Sequence, residues 1–133
     1  MASELKVDKF TGVTTAGSIL VTGEGNSTTT NLQQGLGKAW HISTDAAVLE
    51  DSLNVASGTD NGTGDYTFAF TNNMANDDYS HMTNADSASG HLALQYGESQ
   101  DNTNNCRAYV IEAYSNGATN SNVVMNSING DLA

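Results

Sequence analysis

Fifteen Asp and Glu side chains stand against four Lys and Arg in a chain of 133 residues, so carboxylate chemistry is the first to weigh. A glycosidase needs two carboxyl groups across a scissile bond, and acids this dense form suitable pairs by composition alone. Asp77-Asp78 reads as a solvated pair of acids. The segment from Asp60 to Asp65 offers oxygen ligands for weak Ca²⁺ binding, but it is shorter than the roughly 12-residue calcium loop and lacks its spacing. A hairpin turn is the better reading there. His41, His81 and His91 show neither H-x-x-x-H nor H-E-x-x-H spacing, and the single cysteine, Cys106, has no C-x-x-C partner, so no metal site is expected. The residue types of a Ser-His-Asp triad are all present, yet no G-x-S-x-G elbow presents a nucleophile. No phosphate-binding glycine motif occurs either, and no cofactor is expected. Trp40 and His41 fall on opposite faces of one strand, with Trp40 expected in the core and His41 at the surface or an interface. Tyr79 and Tyr96, beside polar loops, are the candidates for stacking on a glycan.

Composition narrows the fold. Hydrophobic residues are 38% and charged residues 14% of the chain, against roughly 45–50% and 25% in ordinary globular domains. Asn (16), Thr (15), Ser (13) and Gly (13) fill the difference. These types are poor helix formers whose side chains compete for backbone hydrogen bonds, which leaves β structure with many turns. The net charge of −11 repels phosphates, so no nucleic-acid partner is expected. Up to residue 38, Lys6, Lys9 and Lys38 balance Glu4, Asp8 and Glu24, whereas beyond it Arg107 faces 12 acids. One cysteine forms no intrachain disulfide, which fits synthesis in a cytosol. No apolar run approaches about 18 residues and no signal pattern opens at Met1, so neither membrane insertion nor secretion is expected.

The elements that must position these residues fall into two parts, 1–37 and 38–133. In the first, residues 1–29 read as an extended arm. Val7, Phe10, Val13, Ala16 and Ile19 recur every third residue, a spacing that suits chains spiralling around a shared axis. Such an arm buries little by itself, so Val7, Phe10, Val13 and Ile19 are expected to face partner chains or another surface. Thr30 to Gln33 has capping-box spacing with Thr30 as N-cap, and Gly35 and Gly37 should stop that helix within two turns. From Lys38 on, period-two alternation marks strands at Lys38–Ser43, Ser52–Ala56, Asp65–Thr71, Tyr79–Thr83, His91–Tyr96, Cys106–Ser115 and Val123–Ile128. Short strands separated by polar turns predict an all-β, antiparallel, jelly-roll-like sandwich. Trp40, Leu53, Val55, Phe68, Phe70, Leu92, Leu94 and Ile111 are its expected core, and Asn61-Gly62 its strongest hairpin signal.

The ordered blocks Gly37-Lys38-Ala39-Trp40, Asp51-Ser52-Leu53-Asn54-Val55 and Thr59-Asp60-Asn61-Gly62-Thr63-Gly64-Asp65-Tyr66-Thr67-Phe68, then Met74 and Gly130-Asp131-Leu132-Ala133, resemble a small β module of marine bacteriophage virion proteins. In that group the module occurs in tail fibres and other exposed appendages. The start Ser3-Glu4-Leu5-Lys6-Val7-Asp8 is also similar to starts seen there. The resemblance covers about residues 35–133. It implies a non-enzymatic structural protein, homotrimeric, assembled in the bacterial host cytoplasm and carried on the virion exterior. Its implied partners are other virion proteins and a host cell-surface glycan or protein recognised by the head. The chain lacks the long shaft of a full-length fibre, which keeps a capsid decoration protein, of cement or head-fibre type, open as the alternative. A surface-glycan depolymerase is the distant third reading. The expected outcome for the purified protein is no stoichiometric zinc by elemental analysis and no turnover of host polysaccharide; turnover abolished by a carboxylate substitution would reverse the non-enzymatic reading.

Overall fold

The computed structural model describes residues 4–12, 19–22, 28–86, 91–95, 101–112 and 117–132. The chain divides into two compact units, Met1–Leu36 and Gly37–Ala133.

In the first unit, β1 (Leu20–Thr22) pairs antiparallel with β2 (Thr29–Asn31), with Leu20 opposite Asn31. The one-turn helix α1 (Leu32–Gly35) follows directly. Within the arm read over residues 1–29, Leu20–Thr22 is therefore a paired strand. The pairing claims Thr30 and Asn31 as strand residues, so the helix begins at Leu32 rather than after a Thr30 cap. The Leu32 amide donates to the Ile19 carbonyl at 2.9 Å, and the helix ends at Gly35, where a glycine was expected to stop it.

The second unit contains β3 (Ala39–Thr44), β4 (Leu49–Leu53), β5 (Val55–Gly62), β6 (Asp65–Phe70), β7 (Ser80–Asp86), β8 (His91–Gln95), β9 (Asn105–Glu112) and β10 (Val123–Asn129). They form two four-stranded sheets ordered β4-β3-β10-β7 and β5-β6-β9-β8, antiparallel throughout. The hairpins β3–β4, β5–β6 and β8–β9 stay within one sheet, and the other connections pass from sheet to sheet. The expected all-β antiparallel architecture is therefore present. Its core lies between the sheets, where Tyr66, Phe68 and Phe70 of β6 and Cys106, Ala108 and Val110 of β9 meet Ala39, Val124 and Ile128.

Three local expectations are overturned. First, β3 is turned over: Ala39, His41 and Ser43 are buried while Trp40 is 37% exposed. The opposing sheet already brings three aromatic rings inward, and sheets pack only about 10 Å apart, so the strand facing them must present small or flat groups. Ala39 and Ser43 supply the first, and the His41 ring lies over Phe68 with centroids 3.7 Å apart. Second, the single strand expected over Ser52–Ala56 is two strands in different sheets. Asn54 sits at φ 57°, a conformation that asparagine tolerates, and turns the chain from β4 into β5. Its side chain accepts from the Asn72 amide at 2.7 Å and donates to the Asn72 carbonyl at 3.0 Å, which pins the corner. Val55 is buried as expected, whereas Leu53 is 48% exposed. Third, the β5–β6 turn is Thr63-Gly64, because Gly62 and Asp65 are the closing partners; Asn61 lies in a bulge, with its amide on the Thr67 hydroxyl at 2.8 Å. Of the remaining expected core, Phe68, Phe70 and Ile111 are buried, while Leu92 and Leu94 lie outside the residues whose side chains are described.

Gly64 shows why the turn falls there. It has φ 68°, and an added Cβ would lie 2.4 Å from the Val110 carbonyl oxygen and 2.7 Å from that of Thr119. Its amide donates to Asn120 Oδ1 at 2.8 Å, and its carbonyl accepts from Val110 at 2.7 Å. Gly64→Ala should cost about 2–4 kcal/mol, from positive-φ strain plus overpacking, whereas Gly62→Ala, at φ 133° but with nothing within 4 Å of the added Cβ, carries the backbone strain without the overpacking and should cost less. Urea denaturation of the two variants checks the order; equal losses would remove the close backbone approach as the cause.

Candidate interaction surfaces

The inversion of β3 creates the most distinctive surface of the sandwich. Side chains alternate across the sheet β4-β3-β10-β7, so every residue paired with Trp40 or Ile42 shares its outward face. The register sets Leu53, Trp40, Ser127 and Met82 in one row and Asp51, Ile42, Met125 and Asn84 in the next. A third row holds Thr44, Val123 and Asp86. Leu53 and Met82 are 48% and 58% exposed; Ile42, Val123 and Met125 are half-buried. The central strands β3 and β10 contribute no charge to this face, and the carboxylates paired into its rows, Asp51 and Asp86, lie on the edge strands, where the exposed Glu50 occupies the β4 bulge.

On the outer face of the other sheet the central strands β6 and β9 do carry charge. Thr67 pairs with Arg107 and Asp65 with Tyr109, and the Arg107 guanidinium grips Asp65 with two nitrogens, Nε to Oδ1 at 2.7 Å and Nη2 to Oδ2. That guanidinium holds the Asp65 carboxyl below the usual carboxylate range. The candidate calcium segment is thereby a hairpin whose groups have other partners, since Asp60 Oδ1 accepts from the Gly62 amide at 2.9 Å.

Polar groups also sit inside the sandwich. Asp101 Oδ2, His81 Nδ1, His81 Nε2 and the Thr83 hydroxyl form a chain with links of 3.1 and 3.0 Å. The order of groups is that of a nucleophile, base and orienting acid, but the His81 and Asp101 side chains are 0% and 3% exposed, which seals the base from any substrate. Asp101 Oδ1 also accepts from the Arg107 amide at 2.9 Å, so these groups tie the 101–105 segment to β7. Burial pushes the Cys106 thiol up and keeps it protonated and unreactive. Among the described residues, no three His, Cys, Asp or Glu side chains gather where they could hold a metal ion.

The proposed site residues divide. Val7 and Phe10 are 47% and 62% exposed and Ile19 is half-buried; Val13 and Tyr96 lie outside the described residues. Tyr79 is not a stacking platform, because its ring is buried edge-on against Phe70 at 5.9 Å. Its hydroxyl donates to the Asn105 carbonyl at 2.8 Å and so anchors the asparagine-rich loop from inside. Among the described residues of the sandwich, the exposed aromatic ring is Trp40 instead. Alternation in the sequence signalled that Trp40 and His41 point opposite ways, but carried no sign of which way was in.

His41 makes the inversion measurable. Neither ring nitrogen has a hydrogen-bond partner, and burial, helped by nearby His81, lowers its pKa from 6.5 to about 4. The unfolded chain takes up this proton first, so stability is full above pH 6.5 and is lost as pH falls toward 4. The loss is about 3 kcal/mol at about 1.4 kcal/mol per pH unit. Asp65, whose pKa is depressed, adds its own loss only below the carboxylate range. His41→Leu should flatten the urea midpoint between pH 6.5 and 4 relative to the parent chain; parallel curves would place His41 in contact with solvent. Comparison with protein-family models, with curated proteins and with solved structures returns no match to this chain.

Proposed function

We propose that this chain is a non-enzymatic bacteriophage virion protein, a short tail-fibre-like appendage that works as a homotrimer. In this reading the N-terminal unit attaches and trimerises, and the β-sandwich is the outward head that meets the host surface. The observation that carries it is a set of apolar side chains left uncovered in the N-terminal unit: Leu5, Val7, Phe10, Leu20 and Val21 are all 47–74% exposed. Burying one such side chain is worth about 1.5–3 kcal/mol, and a single copy collects little of it. Ordering extended chain costs about 1–2 kcal/mol per residue, so a partner surface is what makes the ordered state favourable. The near-neutral charge of this segment lets copies approach there, while the acidic sandwich keeps assembled particles soluble and apart.

The sequence blocks that resemble phage appendage modules support the virion location and the external face. A capsid decoration role differs from this reading in copy number. Antibody labelling of purified particles should mark the tail or vertices with few copies per virion; hundreds of evenly spread copies would assign the decoration role, and unlabelled particles would sink both. In the same particles, a chain carrying Val7→Asp and Phe10→Asp should be expressed and folded but missing from the virion.

A further inference from the structure

The apolar outer face of the β4-β3-β10-β7 sheet needs an occupant. We propose that it is the same face of the other copies of this chain, turned toward the shared axis of the trimer, so that the sandwich itself contributes a self-association surface. This deepens the proposed oligomeric appendage and moves part of the contact from the N-terminal unit to the head.

Charge argues for a second copy. The sandwich carries 12 acids against Lys38 and Arg107, so two heads brought together at random repel. On this one face the central strands carry no charge, and Asp51 and Asp86 stand on opposite edge strands. An uncharged apolar centre with charges kept to the rim is the arrangement of a protein interface. On the other sheet the Arg107–Asp65 ion pair sits on the central strands β6 and β9, so charge there is not kept to the rim. A basic partner would find no anion in the middle of the patch, whereas a second copy brings a matching uncharged one. One ring beside Leu53, Ile42, Met82, Met125 and Val123 is also a poor match for a sugar, which uses stacked rings with hydrogen-bonding groups beside them.

Size sets the strength. Four strands about 4.8 Å apart and six residues long at about 3.3 Å each give a face of roughly 400 Å² in projection. That is about half of the ~800 Å² per partner of a stable standard interface. The face therefore makes a contact that is weak alone and becomes firm when another contact, such as the N-terminal unit, adds to it.

Trp40, the only tryptophan, lies at the centre of the first row and reports on the face directly. In the full-length chain, sedimentation velocity across a dilution series should show an oligomer, with Trp40 emission blue-shifted and shielded from iodide when assembled and red-shifted on dilution. Leu53→Glu with Met82→Glu keeps the reporter and leaves the inward residues untouched. It should raise the dissociation constant by about a hundredfold or more, since added carboxylates of two copies would replace apolar contact and repel across the contact, with an unchanged circular dichroism spectrum. If that pair fails to fold, Ser127→Glu, a polar position between Trp40 and Met82, gives the same test. An oligomer whose mass and Trp40 emission ignore these substitutions would overturn the proposal, as would a parent chain that is monomeric at every concentration. So would host glycans that shift Trp40 emission while the mass stays constant, which would make the face a sugar platform. Particle labelling is independent of all these outcomes: an oligomer that ignores the substitutions leaves the trimeric appendage standing, whereas a monomeric parent chain removes the trimer as well and leaves only the virion location.

Discussion

The stripe of Tyr66, Phe68 and Phe70 along β6 is the constraint from which most of the sandwich follows. All three rings are buried and point at a sheet about 10 Å away, so they fill most of the space between the layers. The facing strands must offer small, flat or slender groups. Ala39 and Ser43 do so on β3, the His41 ring lies tilted by 32° over Phe68, and Val124, Asn126 and Ile128 line β10. Trp40, the bulkiest residue of these strands, is displaced to the outside, where Ile42, Val123 and Met125 share its face. The interaction surface is thus a by-product of core volume.

The high asparagine content has a structural use in the turns. Asn54 and Asn72 lock the corner where β4 becomes β5. Asn120 Oδ1 receives the Gly64 amide at 2.8 Å, and Asn102 Oδ1 accepts the amides of Asn104 and Asn105. Each satisfies a backbone group that leaves the sheet ladder at a turn, where an orphaned donor would cost about 1–3 kcal/mol. Such clamps replace the apolar packing that a chain with 38% hydrophobic residues has in short supply. They also hold loops close to one shape, which a recognition surface requires.

Function and fold meet in how charge and apolar surface are distributed. The sandwich is strongly acidic, yet the acids avoid the centre of the outer face of β3 and β10, while uncovered apolar groups collect there and in the N-terminal unit. A monomer that left both exposed would have unused association energy at two places. An assembly of copies uses both, which is the common thread of the proposed appendage and of its head-to-head contact.

Much was legible from residues alone. Asn, Thr, Ser and Gly content with period-two alternation determined an all-β antiparallel fold, because side-chain competition and strand geometry are local effects. The β6 stripe was legible for the same reason, since polar or small partners left its apolar phase unambiguous. On β3 both phases carry apolar residues, and hydropathy favours the wrong one; only the volume of the rings on the opposite sheet settles it. Leu53 and Val55 keep one period but belong to different sheets, because the left-handed turn at Asn54 intervenes, and a pattern of alternation has no term for a corner. Tyr79 stood beside polar loops in the sequence and proved to be their internal anchor, since proximity along the chain does not say which side of a loop a ring occupies. Local preference is written in the order of residues, whereas phase, corner and inside-versus-outside depend on what another strand, distant in sequence, brings to the same space.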